Sequence, residues 1–89
     1  MMEIQLKLYG SSKLLSEKEM LHIELPKNSN IEKLRQSLEK IIIEKHLKKE
    51  LNSLSITAAF VSESDEVISN EYKLKDKELI SIIPPIAGG

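Results

Sequence analysis

Leu79-Ile80-Ser81-Ile82-Ile83-Pro84-Pro85-Ile86-Ala87-Gly88-Gly89 falls into two parts with opposite physical demands. The first five residues are nearly continuous in apolarity, as expected of a strand covered on both faces, and so of a central strand in a sheet. Pro84 and Pro85 then hold φ near −65° and offer no N–H, which ends that strand and predicts a stiff, polyproline-like spacer. Six residues in extended form span at most about 20 Å. Gly88 and Gly89 lack a Cβ, so their backbone can enter a narrow channel and present a terminal carboxylate to another molecule's reactive atoms. A bare glycine pair would read as a frayed end. Behind a proline spacer it reads as the working part of the chain, with Gly89 as the reactive group.

The remaining sequence has to supply a body for that tail. Eighty-nine residues allow one small core, which predicts a domain over residues 1–83 and an extended tail over residues 84–89. With 13 basic and 14 acidic residues the net charge is −1, so neither a nucleic-acid footprint nor strong membrane attraction is expected. No cysteine is present, which excludes disulfides, thiolate metal sites and a cysteine nucleophile. The N-terminal residues lack a basic, then apolar, leader, and no apolar stretch approaches about 18 residues. A soluble cytoplasmic protein is the expectation.

Residues 3 to 9 alternate, with Ile4, Leu6 and Leu8 on one face and Glu3, Gln5, Lys7 and Tyr9 on the other, the period of a half-buried strand. Gly10-Ser11-Ser12 breaks it, and a polar connection carrying Leu14 and Leu15 follows. Residues 20 to 25 alternate again, with Leu21, Ile23 and Leu25 inward, until Pro26 ends the strand. Ser29 or Asn30 can cap a helix in which Ile31, Leu34, Leu38, Ile41 and Ile42 fall within an arc of about 100°. Ile43, Leu47, Leu51 and Leu54 form a second stripe on the far side of the same wheel. One straight helix on one sheet cannot bury both, so a break is expected near residues 44 to 46, followed by a short second helical piece. That second stripe reads as core, with a partner surface as the alternative.

Residues 55 to 61, with Ile56, Thr57, Phe60 and Val61, read as a third strand. A polar turn over residues 62 to 66, a short return strand at Val67-Ile68 and a core plug at Leu74 precede the final strand. The order strand, strand, helix, strand, short strand, strand, with the last strand central and parallel to the first, predicts an α+β fold: a β-grasp, the ubiquitin-like architecture, with a mixed sheet and one main helix across it.

At this point the sequence resembles the small subunits of molybdopterin synthase, ubiquitin-like sulfur carriers. The resemblance rests on the last sixteen residues: Leu74, the acidic turn Lys75-Asp76-Lys77-Glu78, the apolar run, then Pro84, Pro85, Ile86, Ala87, Gly88 and Gly89. The helix start, Ile31-Glu32-Lys33-Leu34-Arg35, is also similar. Two departures stand out. Lys77 occupies a position where the family usually has glycine, which predicts a different turn conformation, and the segment around Phe60-Val61-Ser62 also differs.

The resemblance implies a mechanism in which an adenylating activating enzyme uses ATP to join the Gly89 carboxylate to AMP. A sulfur donor then converts the acyl-adenylate to a thiocarboxylate. It implies a large-subunit partner, two copies of each subunit forming a heterotetramer, into which the tail carries sulfur for cyclic pyranopterin monophosphate. Gly89 carries the sulfur, Gly88 lets it pass, and Pro84, Pro85, Ile86 and Ala87 form the docked segment. No cofactor is bound by the chain itself in this reading.

Other chemistry is poorly supported by the residues present. His22 and His46 lack a third ligand at metal spacing, and the serines lack a paired His/Asp arrangement. The alternatives with the same activated ending are a sulfur carrier for thiazole synthesis, whose tail usually lacks the double proline, and a protein modifier whose terminal glycine forms isopeptide bonds with lysines.

Overall fold

The computed structural model describes residues 1–85. Strand β1 (Met2–Leu8) is followed by a 3₁₀ helix (Gly10–Leu15), β2 (Met20–Leu25), helix α1 (Ile31–Glu44), a one-turn helix α2 (Leu54–Thr57), β3 (Ala59–Val61) and β4 (Leu79–Ile83). The sheet order is β2-β1-β4-β3. Strand β1 pairs antiparallel with β2 and parallel with β4, and β3 pairs antiparallel with β4. A mixed sheet with one helix laid across a single face is the β-grasp, as the element order predicts.

The alternation in β1 does what its period requires: Met2, Ile4, Leu6 and Leu8 are buried. Ile23 and Leu25 of β2, Ile80 and Ile82 of β4, and Phe60 of β3 line the same face. Against them α1 lays Ile31, Leu34, Leu38 and Ile42, all fully buried, with Ile41 half-buried at the margin. Leu74 plugs the core as expected. Burial of each such side chain contributes about 2 kcal/mol, so this stripe is the main source of stability.

Both ends of α1 are explained by local chemistry. Asn30, the second of the two candidate caps, is the N-cap: its Oδ1 accepts the Lys33 N–H at 2.9 Å. Ser29 instead turns its hydroxyl to the Pro26 carbonyl. The C-terminus closes in a Schellman arrangement, in which the Leu47 N–H donates to the Ile42 carbonyl and the His46 N–H to the Ile43 carbonyl. His46 takes φ 58 there, and this left-handed residue produces the expected break. Past it the second stripe divides. Leu51 and Leu54 are buried and Leu47 half-buried, while Ile43, still on the helix, is 55% exposed.

Four expectations need correction. Residues 54 to 57 are helical rather than part of the third strand, because the Ser53 carbonyl collects the Ile56 and Thr57 N–H groups and the Thr57 hydroxyl. That turn leaves the β-branched Ile56 77% exposed. The return strand reduces to a single bridge between Val61 and Val67, with the Ile68 N–H donating to the Phe60 carbonyl. Strand β4 is central but covered on one face only: Leu79 and Ser81 are half-buried and Ile83 is 39% exposed. Lys77 takes φ 63, the left-handed conformation that glycine adopts without strain, so lysine there does not remove the glycine-like turn. Its N–H and the Asp76 carboxylate hold the two main-chain groups of Glu3, tying this turn to the start of β1.

A single guanidinium fastens the irregular segment beside β3. Arg35 Nη1 donates to the carbonyls of Ser55, Ile56 and Ala58, and its Nε to Asn70 Oδ1, while the group lies 4.8 Å over the Phe60 ring. Partial burial lowers its pKa, with Glu32 opposing. Nearby, Glu39 accepts from Lys48 and from the Ser55 hydroxyl, and these bonds hold its carboxyl below the usual range.

Arg35→Met leaves three carbonyls without their donor and is expected to destabilise the domain by about 2–3 kcal/mol in chemical denaturation. Lysine at the same position rescues little, since a point charge cannot span the fork. Because the Glu39 pKa is depressed in the folded state, its contribution is present at neutral pH and lost as the pH falls below the ordinary carboxylate value. The Tm of the natural protein is therefore expected to drop more steeply than that of Glu39→Gln between about pH 5 and about pH 3.

Candidate functional site

The parallel pairing of β4 with β1 decides where the tail begins. Gln5 faces Leu79 and Leu8 faces Ile82, so both strands run toward the same end of the sheet, where β1 hands over to the 3₁₀ helix. That helix is short and stiff. The Ser12 hydroxyl is buried and both donates to the Tyr9 carbonyl and accepts the Tyr9 N–H, and Leu15 anchors the far side in the core.

Gly10 opens this helix at φ 56 and lies directly against Pro84, with Pro84 Cγ 3.7 Å from the position a Cβ would occupy. Pro84 is accordingly half-buried, whereas Pro85 is exposed. Beside Pro85 is a depression of about 230 Å³ lined by Ser11, Glu50, Leu51, Ser53, Leu54 and Thr57. The buried half of the second apolar stripe thus builds one wall of the exit, with the 3₁₀ helix as the other. Sequence reading placed Leu51 and Leu54 in the core without their role at the exit; their spacing carries no signal for it, because the wall is assembled from residues some forty positions apart.

The body therefore fixes the root of the tail. The expectations for Ile86, Ala87, Gly88 and Gly89 lie outside the described residues. Around the exit, Tyr9, Leu14 and Ile83 expose apolar surface, with Lys7 Nζ 5.5 Å from the Tyr9 ring centroid. Together with Met20, Val61, Ala59 and Leu79, Ile83 belongs to the sheet face that α1 does not cover. Among the described residues no three metal-ligating side chains converge. His22 is exposed and contacts Glu3 at 3.2 Å, and His46 is an exposed helix-end residue. No helix among the described residues is long and apolar enough to cross a membrane.

A second, larger groove of about 650 Å³ runs along the outer side of α1, between Glu32, Arg35, Gln36 and Glu39 on one side and Lys48, Ser55, Ile56 and Asn70 on the other. It contains the Arg35 and Glu39 bonds already described, and those bonds account for its polar lining.

No protein-family model matches the chain, and no curated protein matches its sequence. Solved structures do share its fold over its whole length. A putative molybdopterin converting factor, subunit 1, from Pyrococcus furiosus superposes with a TM-score of 0.68 at 17% identity, covering 97% of this chain and 100% of that one. Subunit 1 and 2 of the molybdopterin-converting factor from Helicobacter pylori, solved as a protein–protein complex, include a chain matched at TM-score 0.57 and 27% identity, covering 99% and 100%. Small archaeal modifier protein 1 of H. volcanii gives a TM-score of 0.69 at 8% identity, covering 97% and 100%. The chain has the ubiquitin-like fold shared by the molybdopterin converting factor small subunits and the archaeal modifiers.

Gly10→Ala is expected to cost about 1 kcal/mol, from the left-handed backbone rather than from a clash, since the added methyl would meet Pro84 at ordinary contact distance. Thermal denaturation measures the loss, and the resonances of Pro84 are expected to shift with it.

Proposed function

We propose that this chain is the sulfur carrier subunit of a molybdopterin synthase: residues 1–83 are the body and residues 84–89 the tail that does the chemistry. The observation that carries the reading is the continuity from a central β4 through a braced Pro84 to a Pro-Ile-Ala-Gly-Gly ending. The likeness to two converting-factor small subunits supports it.

In this mechanism the Gly89 carboxylate attacks the α-phosphate of ATP on an activating enzyme, releasing pyrophosphate and forming an acyl-adenylate. Sulfur at the level of hydrosulfide, supplied by a donor, then attacks the carbonyl carbon and AMP leaves, giving the thiocarboxylate. Activation is needed because a carboxylate is a poor acyl group until it has a leaving group, and the thiocarboxylate is a far better sulfur nucleophile. The charged tail enters the large subunit and gives its sulfur to cyclic pyranopterin monophosphate, building the dithiolene. Gly88 permits passage, and Pro84, Pro85, Ile86 and Ala87 form the docked segment. Acid and base groups belong to the partners, which work in the cytoplasm with two copies of each subunit. The complex of subunits 1 and 2 from H. pylori supports a large-subunit partner, and the apolar rim of Tyr9, Leu14 and Ile83 offers it a surface.

A modifier role is the second reading, favoured by the likeness to small archaeal modifier protein 1; it predicts isopeptide conjugates of this chain in cell extract. A thiazole carrier fits less well because of Pro84-Pro85.

Incubation with ATP, an activating enzyme and a sulfur source is expected to raise the intact mass by about 16 Da at Gly89, oxygen replaced by sulfur. A chain carrying one additional residue after Gly89 is expected to fold normally and show no gain. Absence of the species with competent enzymes, or its formation on the extended chain, contradicts the proposal.

A further inference from the structure

Strand β2 lies at one edge of the sheet, and only one side of it is paired. The Leu8 N–H donates to the Glu19 carbonyl at 2.9 Å, which sets the antiparallel alternation: residues 19, 21, 23 and 25 exchange hydrogen bonds with β1. The N–H and C=O groups of Met20, His22 and Glu24 therefore point outward, and no turn, loop or side chain among the described residues takes them. Natural edges are usually blunted by proline, lysine or a bulge. Between residues 20 and 25 this strand has no proline, no lysine and no left-handed residue.

The sequence of that edge is complementary to itself. Leu21-His22-Ile23-Glu24-Leu25, laid antiparallel on a second copy with the two-fold axis at Ile23, sets Leu21 against the second copy's Leu25 and His22 against the second copy's Glu24. Residues 22 and 24 both have outward backbone groups, so this register forms closely spaced hydrogen-bonded pairs at which the side chains are also complementary. A slip of one residue turns the apolar set to the wrong face. A slip of two sets His22 against His22 and Met20 against Glu24. On the open face, His22 Nδ1 already meets Glu3 Oε1 at 3.2 Å, and the opposite ring edge, Nε2, is the one that a carboxylate across the junction would meet.

We propose that β2 is a self-association edge, at which two copies of this chain pair antiparallel about Ile23 to form a continuous sheet of order β3-β4-β1-β2-β2-β1-β4-β3. The proposal is independent of the sulfur-carrier reading. The two β4 strands run in opposite directions in such a sheet, so both exits and both apolar rims stay clear of the junction. One strand pair buries less than the roughly 1,000 Å² of a stable interface, so the dimer is a dissociating one.

Sedimentation velocity of the full chain over a hundredfold range of concentration is expected to show a reversible monomer–dimer equilibrium. As dimer accumulates, the amide protons of His22 and Glu24 are expected to gain protection from exchange, which a contact elsewhere on the molecule would not produce. His22→Glu sets carboxylates opposite each other at two symmetric positions and is expected to weaken association by about tenfold with unchanged circular dichroism. Adding Glu24→His to that variant restores the opposed pairs and is expected to bring association back to within about threefold of the natural chain. A monomer at every concentration overturns the proposal. So does a dimer indifferent to His22→Glu, or protection of those two amides only when a different protein is added.

Discussion

Everything in this molecule is arranged by the parallel pairing of β1 with β4. Four residue pairs, from Gln5 with Leu79 to Leu8 with Ile82, join the two ends of the sequence in the middle of the sheet. Parallel neighbours cannot be joined by a tight turn, so the whole intervening chain has to cross over, and α1 is that crossing. Once the last strand is central and points away from the start of β1, the residues after Ile83 have to emerge beside the first turn of the chain. The site is a consequence of topology before it is a matter of any side chain.

Much of this was legible in the residues. Period-two apolarity in β1 and β2 and the stripe Ile31, Leu34, Leu38, Ile42 are one-dimensional signals that survive folding unchanged, because each element buries one face. The break at residues 44 to 46 was legible for the same reason, through a change of phase that a straight helix could not accommodate. What was not legible depends on partners distant in sequence. Ile56 and Thr57 carry strand propensity, yet their backbone is helical because the Ser53 carbonyl accepts their N–H groups and Arg35, twenty positions before Ser55, donates to the adjoining carbonyls. The apolarity of β4 suggested cover on both faces, but Leu79, Ser81 and Ile83 shield one another only partly on a face that no helix reaches. Lys77 held a turn conformation that its side chain does not advertise. At the site, Pro84 and Pro85 announced the spacer, while the Gly10 contact that braces its root came only with the fold.

The sheet's two faces are covered unequally. One face carries the fully buried core beneath α1; on the other, Leu79 and Ile83 of β4 stay partly exposed. What the body sets is position, and position depends on the rigidity of whatever holds Pro84 at the root of the tail.

That rigidity has a source on the far side of the molecule. The wall of the exit depression formed by Ser53, Leu54 and Thr57 belongs to a segment with little regular structure of its own, and such segments ordinarily open in local fluctuations. Here the adjoining carbonyls of Ser55, Ile56 and Ala58 are gathered by Arg35, which is rooted in α1. Opening the wall thus requires detaching it from the longest helix, and its ordering entropy is lost during folding instead of during encounter. Any protein docking at that wall would meet a preorganised surface, and more of the contact energy would remain to be expressed as affinity.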